Sequence, residues 1–156
     1  MSKNSRILII DCEPDFLRDI QNGLGNHFSL IFANNANEAL DMALENKPDA
    51  IVLGYLEPTG ASFELHLKFR KDKVTGDIPI LVVDVRPEEH SQKGWTRQQG
   101  KRMKANGYIS KPVTPEELKG IIERLVSESS AENGGTSKYL ERVLEQIKTI
   151  ENSLFK

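Results

Sequence analysis

Short β-branched apolar runs alternate with helical periodicities along most of the chain. The runs are Ile7 to Ile10, Phe28 to Ala33, Ala50 to Leu53, Ile80 to Val85 and Tyr108 to Ile109. Near-continuous apolar strands separated by helices are the pattern of βα units around a parallel sheet buried on both faces, so five strands are predicted. Pro14 suits the first turn of a helix that buries Phe16, Ile20 and Leu24. Asn35 with Glu38 resembles a capping box ahead of Ala39, Leu40, Ala43 and Leu44, and Thr114-Pro115-Glu116-Glu117 is a stronger one. The helix it opens places Leu118, Ile121, Ile122, Leu125 and Val126 on one stripe. Helices around 62–71 and 88–105 complete the alternation.

Residues 1–127 therefore read as one domain. The polar, glycine-containing stretch 128–137 reads as a flexible linker. Beyond it, residues 138–156 form an amphipathic helix whose seam is Leu140, Val143, Ile147, Ile150 and Leu154, spaced three, four, three and four. A lone helix of that length is marginal in water, so the seam is expected to bury against its own domain, a second copy or another protein. The segment is too short for a DNA-binding output domain.

Composition narrows the chemistry. A single cysteine, Cys12, excludes an internal disulfide, and His27, His66 and His90 lack ligand spacing, so Cys/His metal binding is not expected. The start carries only four apolar residues before Asp11, which is no signal peptide and predicts a cytoplasmic protein without membrane association. The net charge is −2, yet residues 86–104 hold six basic and two acidic residues around Trp95. That cluster reads as a solvated face or a site for an acidic protein partner. Nucleic acid is disfavoured because interleaved aromatics are lacking.

In a doubly wound sheet the site lies at the carboxyl ends of the strands. Those ends carry Asp11, Cys12 and Glu13 after the first strand, Gly54 after the third, Asp84 at the fourth and Lys111-Pro112 after the fifth. Over residues 5 to 127, the stretches Ile7 to Asp15, Pro48 to Pro58, Ile78 to Val83 and Gly107 to Pro112 give a chain that resembles the CheY-like receiver domain of bacterial two-component response regulators. The resemblance implies a flavodoxin-like α/β fold, a doubly wound five-stranded parallel sheet of order 2-1-3-4-5, here with an extra C-terminal helix.

Laid on this sequence, the resemblance describes a degenerate phosphorylation pocket. Receivers hold Mg²⁺ with two acids after the first strand; the first is Asp11 and the second has become Cys12. The phosphoacceptor aspartate is replaced by Gly54, and the phosphate-sensing hydroxyl by Asp84. The lysine is kept as Lys111, the aromatic switch residue as Tyr108, and the resemblance implies a cis bond before Pro112. Magnesium would be held weakly at best through Asp11, and no cofactor is expected. Phosphoryl transfer lacks its nucleophile and its charge-absorbing cation. Three concerted departures read as natural divergence, a pseudo-receiver that is not an enzyme and that acts through protein contacts in a phosphorelay setting.

The residues leave several roles open. Lys111 is expected to pair with Asp11 or Asp84; Cys12 is a small filler or, less readily, a redox sensor. The resemblance places the output surface around Tyr108, Trp95, Arg97 and Lys101, on the face of the fourth helix, fifth strand and fifth helix. A phosphorylatable receiver using Asp11 or Asp84, a small-molecule site in the vacated pocket, and a phosphohydrolase built on Asp11 are the competing readings. The last needs an aspartate where Glu13 stands. Pairing of two chains through the seam is a further expectation.

Overall fold

A computed structural model describes residues 5–95 and 105–133. Five parallel strands, β1 (Arg6–Ile10), β2 (Ser29–Ala33), β3 (Ala50–Leu53), β4 (Ile80–Asp84) and β5 (Gly107–Ser110), form one sheet of order β2-β1-β3-β4-β5. The intervening helices are α1 (Pro14–Leu24), α2 (Ala36–Asn46), α3 (Ala61–Lys71), α4 (His90–Lys93) and α5 (Pro115–Asn133), with a 3-10 turn at Pro87–Glu89.

Period-two alternation along the strands builds two cores. Leu8, Ile10, Ile51, Leu53, Ile80 and Val82 pack with Phe63, Leu65 and Phe69 of α3 and with Ala39 and Ala43 of α2. On the opposite face Ile7, Ile9, Val52, Leu81 and Val83 meet Ile20 and Leu24 of α1 and Leu118, Ile122 and Leu125 of α5. The box at Thr114 closes both ways, with Glu117 N–H donating to Thr114 Oγ1 (3.1 Å) and Thr114 N–H to Glu117 Oε1 (2.9 Å), whereas at Asn35 the cap forms (Glu38 N–H to Asn35 Oδ1, 2.8 Å) and Glu38 Oε1 accepts from Asn34 N–H (3.2 Å) in place of the Asn35 N–H. Register then sets the site. Ile10 stands beside Leu53, so Asp11 and Gly54 emerge side by side, and Asp84 stands beside Ser110, one residue before Lys111.

Two expectations change. The last helix does not stop near residue 127 but continues to Asn133 through the first part of the expected linker. Glu128, Ala131 and Glu132 are compatible with a helix, Arg124 pairs with Glu128 one turn on, and no glycine intervenes before Gly134. The helix expected over 88–105 instead ends at Lys93, where Gly94 takes an extended conformation and Trp95 turns into the core. The seam Leu140, Val143, Ile147, Ile150 and Leu154 lies outside the described residues, as do Arg97 and Lys101. Among the described residues no helix is long and apolar enough to cross a membrane.

His66 of α3 is fully buried against the Trp95 ring, with centroids 6.1 Å apart. Burial, with the Arg70 cation adding to it, depresses its imidazole from 6.5 to about 4. The unfolded chain thus takes up a proton that the folded chain refuses, so this contribution is intact above pH 6.5 and lost as pH falls toward 4. At pH 5 the loss is roughly 2 kcal/mol relative to neutral pH. Urea unfolding across this range is expected to show an acid limb that flattens in His66→Leu.

Candidate functional site

Asp11 is wholly buried at the tip of β1, and its carboxylate is fully engaged. Oδ1 accepts the Glu13 N–H at 2.8 Å; Oδ2 accepts the Tyr55 N–H at 3.1 Å and meets Lys111 Nζ at 2.9 Å. Burial pushes the Asp11 carboxyl above the usual carboxylate range, opposed by Lys111 and by the two backbone donors.

Lys111 is 2% exposed and bridges two acids. Its ammonium lies 2.9 Å from Asp11 and 2.6 Å from Glu13 Oε1, over the Phe16 ring at 4.6 Å from the centroid. The long stem reaches across the strand tips, which β5 alone would not allow a shorter cation to do. Glu13 is a partner that strand-end reasoning placed nearby without assigning it a role. The peptide bond from Lys111 to Pro112 is cis, as is that from Glu57 to Pro58.

Gly54 decides what the pocket is. A Cβ built on it would lie 2.0 Å from Asp11 Oδ2, 2.8 Å from Asp11 Cγ and 2.9 Å from the Ile10 carbonyl oxygen. The space that a side chain at position 54 would need is filled by the Asp11 carboxylate. The strand end is closed on both sides, since Gly54 N–H donates to Ile10 O (2.6 Å) and Ser62 Oγ donates to Gly54 O (2.6 Å). A cleft of about 340 Å³ lies further out, between Glu13, Phe16, Arg86, Lys111 and Val113.

Asp84 is turned away from this ion pair. Its carboxylate accepts the Val85 N–H at 2.8 Å, the Trp95 N–H at 3.4 Å and the Tyr108 hydroxyl, and it lies 3.1 Å from His90 Nε2. Of the two acids that strand-end reasoning offered to Lys111, only Asp11 reaches it. Burial first, then the bond and charge of Asp84, push the Tyr108 phenol up, so it stays protonated as a donor. Trp95, expected on the output surface, is buried edge-on against Phe63 at 5.5 Å because Gly94 breaks α4 and sends the indole inward. Tyr108 keeps 44% of its surface exposed.

Cys12 is half-buried, and its N–H donates to Tyr55 O at 2.9 Å. Burial pushes its thiol up, and the negative charges of Asp11, Glu57 and Glu13 push it further, so the thiolate needed for redox chemistry is disfavoured.

The phosphate regulon transcriptional regulatory protein PhoB of Pseudomonas aeruginosa is 31% identical to the chain over 137 residues, covering 83% of the chain and 58% of PhoB. Protein PilH of the same organism is 29% identical, covering 79% of the chain and 98% of PilH. The receiver domain protein from Methanospirillum hungatei superposes with a TM-score of 0.69 at 23% identity, covering 83% of the chain and 99% of that structure. The homologues and structural neighbours are CheY-like response-regulator receiver domains. No family model matches the chain. The chain spans about half the length of the first curated relatives it matches, 50% and 58%.

The pocket does not fit the magnesium ion that the resemblance to receivers implies. A small hard cation needs several free oxygen ligands in octahedral array. Asp11 has none to spare, Gly54 supplies no carboxylate, and position 12 offers a soft thiol. Among the described residues no group of three or more His, Cys, Asp or Glu stands where it would hold a metal.

Proposed function

We propose that this receiver works in two-component signalling by protein contact, without phosphorylation of an aspartate, in the cytoplasm. The observation that carries the reading is the Asp11 carboxylate seated where the phosphoacceptor side chain would project, and locked there by Lys111 and two backbone donors. A nucleophile must be exposed and in line with the donor, with cations free to absorb the transferring charge. Asp11 is fully buried and Asp84 is 2% exposed with its oxygens engaged, which counts against either as a substitute acceptor. Filling of the Gly54 space by Asp11 also counts against a small molecule at that point. The face of α4, β5 and α5, together with the C-terminal segment, is the surface we assign to the protein partner.

Incubation with acetyl phosphate and Mg²⁺, followed by intact mass spectrometry, is expected to give no phosphoryl adduct under conditions that modify a conventional receiver in the same tube. An adduct mapped to any aspartate would overturn the reading. A pull-down with and without residues 137–156 then separates a partner held by the domain from one held by the C-terminal segment.

A further inference from the structure

We propose that Asp84 is a permanent latch, which fixes Tyr108, His90 and Trp95 in one arrangement so that the α4–β5 edge presents a single, untoggled recognition surface. One carboxylate gathers groups from three places: the Trp95 N–H and His90 Nε2 from α4 and the turn after it, the Tyr108 hydroxyl from β5, and the Val85 N–H from its own strand end. A hydroxyl at this position could serve only a fraction of those donors, because it has two lone pairs on one oxygen where a carboxylate has two oxygens. Charge-assisted bonds in a buried setting are also stronger than neutral ones.

Neighbouring contacts converge on the same arrangement. The His90 ring packs close against Gly94, where a Cβ would come within 2.3 Å of His90 Cδ2. A side chain at position 94 would therefore contest the place His90 takes beside Asp84. Lys93 Nζ sits 5.3 Å from the Tyr55 ring centroid, which ties α4 to the segment after β3. Trp95, edge-on to Phe63 and His66, anchors the far end of the turn.

The latch deepens the contact reading above, and the two fail separately. Trp95 is the chain's only tryptophan, so its emission reports the latch without labelling. In the full chain, Asp84→Ala is expected to shift that emission to the red, raise acrylamide quenching severalfold, and broaden or double the Tyr108 ring signals in NMR. Asp84→Asn, isosteric and safer for folding, is expected to do the same to a smaller degree. Gly94→Ala, whose backbone angles at this site suit any residue, should displace His90 and loosen Trp95 while leaving Asp84 in place. Folded Asp84 variants with unchanged Trp95 quenching and Tyr108 signals would overturn the latch. So would a parent protein whose Tyr108 already exchanges between two environments. A phosphoryl adduct alongside a fixed Tyr108 would instead sink the contact reading and spare the latch.

Discussion

Lys111→Met is expected to lower the unfolding free energy by roughly 3–5 kcal/mol, the cost of leaving a buried charge without its partner. The Asp11 carboxylate has no exposed surface and keeps only two backbone donors once the ammonium is gone. Methionine retains most of the apolar length of the side chain and gives up the ammonium over the Phe16 ring, so the loss reports charge more than packing. Adding Asp11→Asn should recover part of the deficit, because the amide needs no counter-charge, while its NH2 then faces one of the two backbone donors. Urea midpoints of the four proteins give the coupling directly. A Lys111→Met variant as stable as the parent would contradict the buried-pair account, and a double variant that recovers nothing would move the effect to the lysine stem.

The same pair predicts a pH signature. Burial already raises Asp11 above the ordinary carboxylate value, and removal of Lys111 removes the largest opposing influence. A carboxyl whose folded pKa lies above its unfolded one makes the folded chain bind more protons, so stability rises as pH falls through that value toward the unfolded one. The gap between Lys111→Met and the parent should therefore narrow on acidification. His66 weakens both proteins alike over this range and cancels in the difference. A gap that stays constant with pH would show that Asp11 holds its proton alike with and without Lys111, contradicting the ion pair as the cause.

The fold is legible in the sequence because its determinants are local. Apolar runs of four or five residues, helix stripes at three and four, and two helix N-caps specify elements, and the βα alternation leaves the 2-1-3-4-5 sheet as the fold the resemblance implies. The site is legible only in outline. Strand-end logic assembles Asp11, Gly54, Asp84 and Lys111 at one edge, since it depends on topology alone. Which carboxylate takes the lysine depends on side-chain direction and on donors contributed by backbone: Tyr55 and Glu13 N–H hold Asp11, whereas Val85 and Trp95 N–H hold Asp84. No residue pattern encodes those donors. The burial of Trp95 is illegible for a similar reason. In a basic, polar segment it reads as a surface aromatic, and the extended turn at Gly94, where a side chain would collide with His90, brings the ring inward onto Phe63.

Gly54→Ala is the sharper test of the site, because one methyl group is enough to contest the Asp11 position. The new Cβ would sit 2.0 Å from Oδ2, far inside contact distance, so the carboxylate must rotate and give up its bonds to Tyr55 N–H and Lys111. The Ile10 carbonyl at 2.9 Å adds backbone crowding that no rotamer change relieves. A loss of about 2–4 kcal/mol is expected, from overpacking together with a displaced buried hydrogen bond. Asp11→Ala in the same chain makes room for the methyl, so the two substitutions should couple favourably, leaving Lys111 to Glu13. Gly54→Asp adds a second carboxylate to a pocket with one ammonium, and it restores the acceptor without restoring the acid at position 12 or the hydroxyl at position 84. It is expected to be less stable than the parent and to take up no phosphoryl group from acetyl phosphate and Mg²⁺. If that single change yields a phosphoadduct at normal stability, Asp11 is a loose occupant that yields to any side chain, and the pocket has kept its phosphotransfer geometry intact.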